Sequence, residues 1–314
     1  MTSAPQAMPI VRIAAPDLTR DLDLSNEELL HLLALTREVK RSPQLYATAL
    51  RGQSLALLFE KPSLRTKLTF ELAIQQLGGG SVACDGPIGQ REPLKDVARN
   101  LDRWVNAIVA RTFLQSTIDG LAQWSSAPVI NALSDMYHPC QALADIFTLA
   151  EQFGELRGLN LAFVGDGNNV AHSLMLTATR LGVNVSIATP RGYEPEASVV
   201  AQAEGLAAVS GARLSVGNDA EKAVAGAHAV YTDVWTSMGQ EAEASERRKK
   251  FLPYQVNPRL FGLARPDARF MHCLPARRGE EVADEVIESP NSVVFDQAEN
   301  RLHAQKALLL MLLG

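Results

Sequence analysis

Cysteine is scarce in this chain, and the three that occur, Cys84, Cys140 and Cys273, stand far apart. An odd number without paired spacing argues against a disulfide framework or a structural zinc site, so reduced thiols and no obligate metal or other cofactor are expected. Aromatic residues are few, at 6%. No apolar run reaches the roughly 18 residues needed to cross a bilayer, so no membrane partner is expected. Positive charge is not in excess either. The formal net charge of −5 leaves no broad basic surface for nucleic acid. The N-terminal stretch carries Pro5, Pro9 and Pro16 without a sustained apolar core, unlike a secretory signal, and a cytoplasmic location is expected. Internal repeats and low-complexity segments are also missing.

What remains is ordinary globular composition, with 46% hydrophobic and 21% charged residues in 314, long enough for two domains at roughly 100–200 residues each. Short runs rich in Val, Ile and Leu alternate with longer amphipathic stretches. The strand candidates are Ser54–Phe59, 106–111 and 128–133, then 161–166, 184–189, 229–234 and 269–275. Helical patterns lie between them, at 64–77, 141–152 and 170–181. This alternation predicts an α/β fold of two domains, each a mostly parallel sheet flanked by helices. The segment FGELRGLN at 153–160 interrupts the pattern and divides the chain into 1–152 and 153–314. The stretch 298–313 reads as a helix ending in an apolar run, which needs cover and is expected to pack back onto the body.

In parallel α/β sheets ligands bind beyond the carboxyl ends of strands, so the residues that follow each strand carry the information. After the first strand comes Glu60-Lys61-Pro62-Ser63-Leu64-Arg65-Thr66. Pro62 discourages helix before it and Ser63 is a good N-cap, so free amides and a positive dipole end converge on one spot suited to a phosphate. The hydroxyls of Ser63 and Thr66 and the fork of Arg65 strengthen that reading; a capped helix with an incidental surface arginine competes evenly with it. After the second strand stand Arg111 and Thr112. A lone arginine there is more often solvated than catalytic. After the third stand Asp135 and His138-Pro139-Cys140-Gln141, where Pro139 suits a first helical turn and puts His138 near the N-cap. A histidine there can polarise a carbonyl oxygen and Gln141 can hold an amide, although an isolated case would more often be a plain cap. Convergence of these groups describes a site for a small molecule that carries both a phosphate and a carbonyl.

In the second half, Gly165-Asp166-Gly167-Asn168-Asn169 follows a strand and opens a helix. Val170 occupies the place of the third glycine of a dinucleotide fingerprint, which weakens that reading. Two carboxamides suit the carboxylate and amine of an amino acid better than a pyrophosphate. Asp233 can hold an ammonium group, and the loop Trp235-Thr236-Ser237-Met238-Gly239 after it has the character of a lid. The last strand end is His272-Cys273-Leu274-Pro275, where Cys273 is a nucleophile, a proton partner, a substrate contact or an inert buried thiol.

These motifs, in this order, resemble the aspartate/ornithine carbamoyltransferase family, most closely its ornithine branch. FEKPSLRT resembles the carbamoyl-phosphate signature, usually S-T-R-T, and HPCQALAD the second phosphate-domain motif. GDGNNVAHS, DVWTSMGQE and HCLPARRGEEV resemble the ornithine-side motifs; the aspartate branch carries a proline-leucine-proline motif without the cysteine. The resemblance covers nearly the whole chain. It implies that Ser63, Leu64, Arg65, Thr66, Arg111, His138 and Gln141 bind carbamoyl phosphate, with Cys273 and Leu274 at the reacting centre and Arg301 joining from the second domain. Asn169, Asp233, Ser237 and Met238 would bind ornithine. Arg65, Arg111, His138, Cys273 and Arg301 would be catalytic. The family uses no metal or organic cofactor and builds homotrimers or multiples of them.

Two departures stand out. Leu64 replaces the usual threonine, which leaves only its backbone amide for the phosphate. Pro87 stands where many relatives have a glutamine that reaches carbamoyl phosphate, with Gln90 and Arg91 near enough to compensate. Competing functions are a carbamoyltransferase for N-acylated ornithine or putrescine, a nicotinamide-dependent oxidoreductase built on GDGNN, and a non-enzymatic paralogue. Asp233 and the SMG loop favour a free α-amino group over an acylated one.

Overall fold

The computed structural model describes residues 7–237 and 239–314. Its strands are β1 Ser54–Phe59, β2 Gly80–Asp85, β3 Ala107–Arg111 and β4 Val129–Leu133, then β5 Asn160–Val164, β6 Asn184–Ala188, β7 Leu214–Gly217, β8 Ala229–Thr232 and β9 Arg269–His272. The helices are α1 Asn26–Arg41, α2 Leu64–Gln76, α3 Leu94–Leu101, α4 Gln115–Trp124, α5 Pro139–Phe153 and α6 Asn169–Arg180. They continue as α7 Ala197–Ser210, α8 Ala220–Val224, α9 Ala244–Phe251, α10 Pro258–Phe261, α11 Asp284–Ile287 and α12 Val294–Leu313. Among the described residues, no helix is long and apolar enough to cross a membrane.

The chain divides into two compact units, Met1–Phe147 with Glu299–Gly314, and Thr148–Ala298. The first holds a four-stranded sheet in the order β2-β1-β3-β4, and the second a five-stranded sheet in the order β7-β6-β5-β8-β9. Every strand pair is parallel, as the alternation of strand and helix requires. The inner strands are apolar on both faces because helices cover both. Ala56, Leu58, Ile108, Ala110 and Val129 meet Ala98, Ile118 and Leu121 in the first unit. Ala162, Val164, Val230 and Phe270 meet Val224, Leu260 and Val286 in the second.

The division by packing lies a few residues before the 153–160 segment. It falls inside α5, and Glu299–Gly314 groups with the first unit. The apolar end of α12 explains this: residues 307–312 are buried, and Ile13 donates its N–H to the Met311 carbonyl at 3.0 Å. The run that needed cover finds it there, and Arg301 travels with the first unit rather than the second.

Each sheet reverses its winding once, between β1 and β3 in the first unit and between β5 and β8 in the second. Crevices open at such reversals, beyond the carboxyl ends of the two strands. Phe59 lies opposite Arg111 at the first reversal, so the Glu60–Thr66 segment and Arg111 leave the sheet together. At the second, the segments leaving β5 and β8 begin at Gly165 and Asp233.

Candidate active site

In the first unit, Ser63 caps α2, and its hydroxyl accepts the Thr66 N–H at 3.3 Å. The first amides of α2 therefore face the space beyond β1 and β3. Thr66 is buried, and its hydroxyl accepts from Arg301 Nη2 at 2.6 Å. Arg65 is half-buried, whereas the Leu64 side chain is 70% exposed and offers the site only its backbone. Lys61 is buried, with Nζ 4.7 Å from the Phe113 ring centroid.

Arg111, His138 and Arg301 are all buried. Burial pushes the His138 pKa well below the usual histidine range, and the charges of Arg301 and Arg111 push it further the same way. Burial, aided by the two guanidinium charges, thus favours the neutral imidazole. Gln141, one turn into α5, donates Nε2 to Asp145 Oδ1 at 2.8 Å. Its Oε1 is buried without a hydrogen bond, an acceptor suited to an N–H of a small amide. Cys140 points elsewhere. Its thiol donates to the Asn131 carbonyl at 3.5 Å, and burial pushes its pKa up to about 12, so it packs and does no chemistry.

The second unit assembles a different set. Asn168 caps α6, with Oδ1 accepting from the Val170 and Ala171 amides at 3.0 and 3.2 Å, while Nδ2 donates to Asp233 Oδ2 at 2.8 Å. Cys273 donates its thiol to Asp233 Oδ1 at 3.0 Å. Asp233 is therefore a buried carboxylate held from two sides, and Asn169 and Ser237 stand half-buried in the segments beside it. Met238 lies outside the described residues. The glycines of GDGNN serve the backbone: a Cβ on Gly167 would sit 2.3 Å from the Pro195 nitrogen, so only glycine lets the two chains approach.

Behind Cys273, His272 Nδ1 accepts the Leu274 N–H at 2.8 Å, so its Nε2 carries the proton toward Glu281 Oε1 at 3.2 Å. Leu274 adopts a φ of 57°, a region costly for a branched side chain, and this bond helps hold it there. Asp233, His272 and Cys273 bring donor atoms within 4.8 Å of one another. With both His272 nitrogens engaged and the thiol bonded to the carboxylate, the trio reads as a hydrogen-bonded set rather than an ion cage.

Arg247 on α9 donates Nη1 to both Asp166 Oδ2 and the Trp235 carbonyl at 2.9 Å, with its guanidinium 4.8 Å from the Tyr193 ring centroid. It pins the base of the loop that follows Asp233. Burial of Asp166 outweighs the attraction of Arg247 and raises its pKa to about 6. Arg247 has no local signal in the sequence because its partner Asp166 is 81 positions away, and Glu281, inside the HCLPARRGEEV motif, shows its part only through its bond to His272.

Residues 17–151 match the carbamoyl-P binding domain, and residues 157–312 the Asp/Orn binding domain, of aspartate/ornithine carbamoyltransferase. The chain belongs to the aspartate/ornithine carbamoyltransferase family. It is 51% identical over 310 residues to an ornithine carbamoyltransferase of Thermococcus kodakarensis, a match that covers 97% of this chain and 98% of the relative. The solved ornithine carbamoyltransferase of Pyrococcus furiosus superposes with a TM-score of 0.94 at 49% identity, covering 97% of this chain and 99% of that one. A solved acetylornithine transcarbamylase complexed with acetylcitrulline is more distant, with a TM-score of 0.86 at 33% identity and coverage of 95% and 99%. In this carbamoyltransferase frame the dinucleotide reading of GDGNN falls away, since residues 157–312 match an amino-acid-binding domain.

Proposed function

We propose that the chain transfers the carbamoyl group of carbamoyl phosphate to the side-chain amine of L-ornithine, giving L-citrulline and phosphate. One observation carries this reading most strongly. In the first unit Arg111, His138 and Arg301 are all buried, and Arg301 Nη2 donates to Thr66 Oγ1 at 2.6 Å, beside the amides that open α2. That is the equipment for a phosphate joined to a carbonyl.

In the proposed mechanism the α2 amides at Leu64, Arg65 and Thr66, the Ser63 hydroxyl and the Arg65 guanidinium hold the phosphate. Arg111 and His138 donate to the carbonyl oxygen. Donors fixed in advance at such an oxygen contribute about 3 kcal/mol each to lowering the barrier. Gln141 Oε1 accepts an N–H of the carbamoyl group, and Arg301, held by Thr66, stabilises the departing phosphate. Asp233 orients the amino acid through its ammonium, with Asn169, Ser237 and Met238 completing its binding. The neutral side-chain amine attacks the carbonyl carbon, the C–O bond to phosphate breaks, and the proton that the amine loses passes to the departing phosphate, which leaves as hydrogen phosphate. Cys273, its thiol bonded to Asp233, and the Leu274 backbone meet the reacting groups and orient the amine. Pro87 leaves Gln90 and Arg91, both exposed in this chain, as the available polar groups of their segment.

Free ornithine is the proposed acceptor because Asp233 needs an ammonium partner, which acylation would remove. Purified protein supplied with carbamoyl phosphate should form citrulline from free ornithine at least ~100-fold faster than acetylcitrulline from N-acetylornithine, the scale set by leaving a buried charged group unpaired. A preference for the acetylated substrate would overturn this assignment.

We also propose a homotrimer. Leu64, Leu68 and Leu72, four positions apart, form a stripe on α2 that is 70%, 45% and 41% exposed, and Val82 of β2 is 70% exposed. A contiguous apolar stripe of this kind calls for a partner surface. Light scattering should return three times the 34.0 kDa chain mass, and a monomer would refute the assembly. Three cysteines with no disulfide among them support a reducing compartment, the cytoplasm, which cell fractionation would check.

A further inference from the structure

We propose that Gln115, the first residue of α4, is a positioning residue that sets the spacing of Arg111 and His138. The proposal rests on the reading that these two groups meet carbamoyl phosphate. Its basis is a buried hydrogen-bond network that no step of the reaction uses. Gln115 Oε1 accepts from Ser134 Oγ at 2.6 Å and from Asn131 Nδ2 at 3.0 Å. Its Nε2 donates to Asp119 Oδ1 at 2.9 Å and to the Thr19 carbonyl at 3.3 Å. Its backbone N–H goes to Asp135 Oδ1 at 2.6 Å. One carboxamide thus ties α4 to β4, to the loop after β4 and to the N-terminal segment.

Ser134 passes the constraint on to His138. Its hydroxyl accepts the N–H groups of Met136 and Tyr137 at 3.2 and 3.1 Å, and its own N–H donates to the Tyr137 carbonyl at 2.9 Å. That closes the turn whose next residue is His138. On the other side, Arg111 stands four positions before Gln115 at the end of β3. The Thr112 hydroxyl donates to the Leu114 carbonyl at 2.8 Å and the Thr112 N–H to the Leu133 carbonyl at 2.9 Å. The two loops that deliver the guanidinium and the imidazole are therefore locked through Gln115 and Ser134. Both polar atoms of the Gln115 carboxamide are bonded; a buried group tied on every side favours a single geometry, and catalysis is sensitive to displacements of an ångström.

The test compares Gln115→Met with Gln115→Glu. Methionine keeps the volume and removes every polar contact of the side chain. Glutamate keeps an acceptor for Ser134 and Asn131 but loses the donor to Thr19 and places a second carboxylate beside Asp119. If Gln115 positions the site, Gln115→Met raises the carbamoyl-phosphate KM about tenfold while Gln115→Glu stays within about threefold of wild type, even where its melting temperature is the lower of the two. If Gln115 is merely structural, KM follows melting temperature and Gln115→Glu is the worse enzyme, which would overturn the proposal. Should Gln115→Met not fold, Ser134→Ala takes its place, since it leaves the Gln115 bonds to Asn131, Thr19 and Asp119 intact. If the wild-type chain forms no citrulline, the functional reading fails on its own. Calorimetric binding of carbamoyl phosphate then decides: weaker binding by Gln115→Met than by Gln115→Glu supports the positioning role, and equal binding or none by the wild-type chain overturns it.

Discussion

Arg65→Ala is expected to lower kcat/KM for carbamoyl phosphate by roughly 150- to 1,000-fold, with little change in melting temperature. Arg65 is half-buried at the start of α2, where its charge adds to amides already aimed at one point. Leu64 carries no hydroxyl, so the share of the phosphate held by Arg65 is larger than in a chain with threonine there. Loss of one charged donor aimed at developing negative charge costs about 3–4 kcal/mol in the transition state. The helix itself loses nothing essential, because alanine is a better helix former and the Ser63 cap remains. Steady-state kinetics with carbamoyl phosphate varied, alongside a thermal melt, checks both halves. Turnover at the wild-type level would remove Arg65 from the site.

Asp233→Ala should produce a comparable loss on the other substrate. Asp233 is buried, with Oδ2 accepting from Asn168 and Oδ1 from both Cys273 and the Val234 N–H, the last at 2.8 Å. Truncation deletes the proposed partner of the amino acid's ammonium and also strands the Asn168 amide and the Cys273 thiol. Breaking a buried charged pair from one side costs about 3–5 kcal/mol, so kcat/KM for ornithine should fall roughly 150- to 4,000-fold. The carbamoyl-phosphate dissociation constant should stay within about threefold of wild type, because the groups proposed to hold its phosphate and carbonyl oxygen, Ser63–Thr66, Arg111, His138 and Arg301, belong to the first unit. Equal losses for both substrates would mean that Asp233 supports the fold rather than the amino acid.

Much of the fold is legible in the sequence where strands are buried. Ser54–Phe59 was bounded correctly because an unbroken apolar run stops at Glu60-Lys61-Pro62, and 106–111 and 128–133 were each one residue too long at the start. Gly80–Asp85 and Leu214–Gly217 were missed. Both are edge strands with mostly polar or exposed residues, so neither shows the apolar run that marks a buried strand. The C-terminal helix was recognised, but its membership was not, because an apolar run shows that cover is needed without showing which surface supplies it.

The candidate site divides along the same line. Ser63, Arg111, His138 and Asp233 stood out because each follows a strand. Arg301 was marked by resemblance alone, and its bond to Thr66 spans 235 positions. Gln115 and Arg247 gave no local signal. A glutamine at the first turn of a helix or an arginine in a charged one reads as surface until its partners are known, and Arg247 finds Asp166 81 positions away. Periodicity locates elements, while buried polar partners are a property of the folded chain.

The central claim is transfer of an intact carbamoyl group to the side-chain amine of ornithine. It is tested most directly by incubating the purified protein with ornithine and carbamoyl phosphate labelled with carbon-13 at the carbonyl, and following the label by NMR. The expected result is a shift of the label into the side-chain ureido carbon of citrulline, with one equivalent of phosphate released per citrulline formed. Label recovered only as bicarbonate or cyanate, at the rate seen without protein, would contradict it.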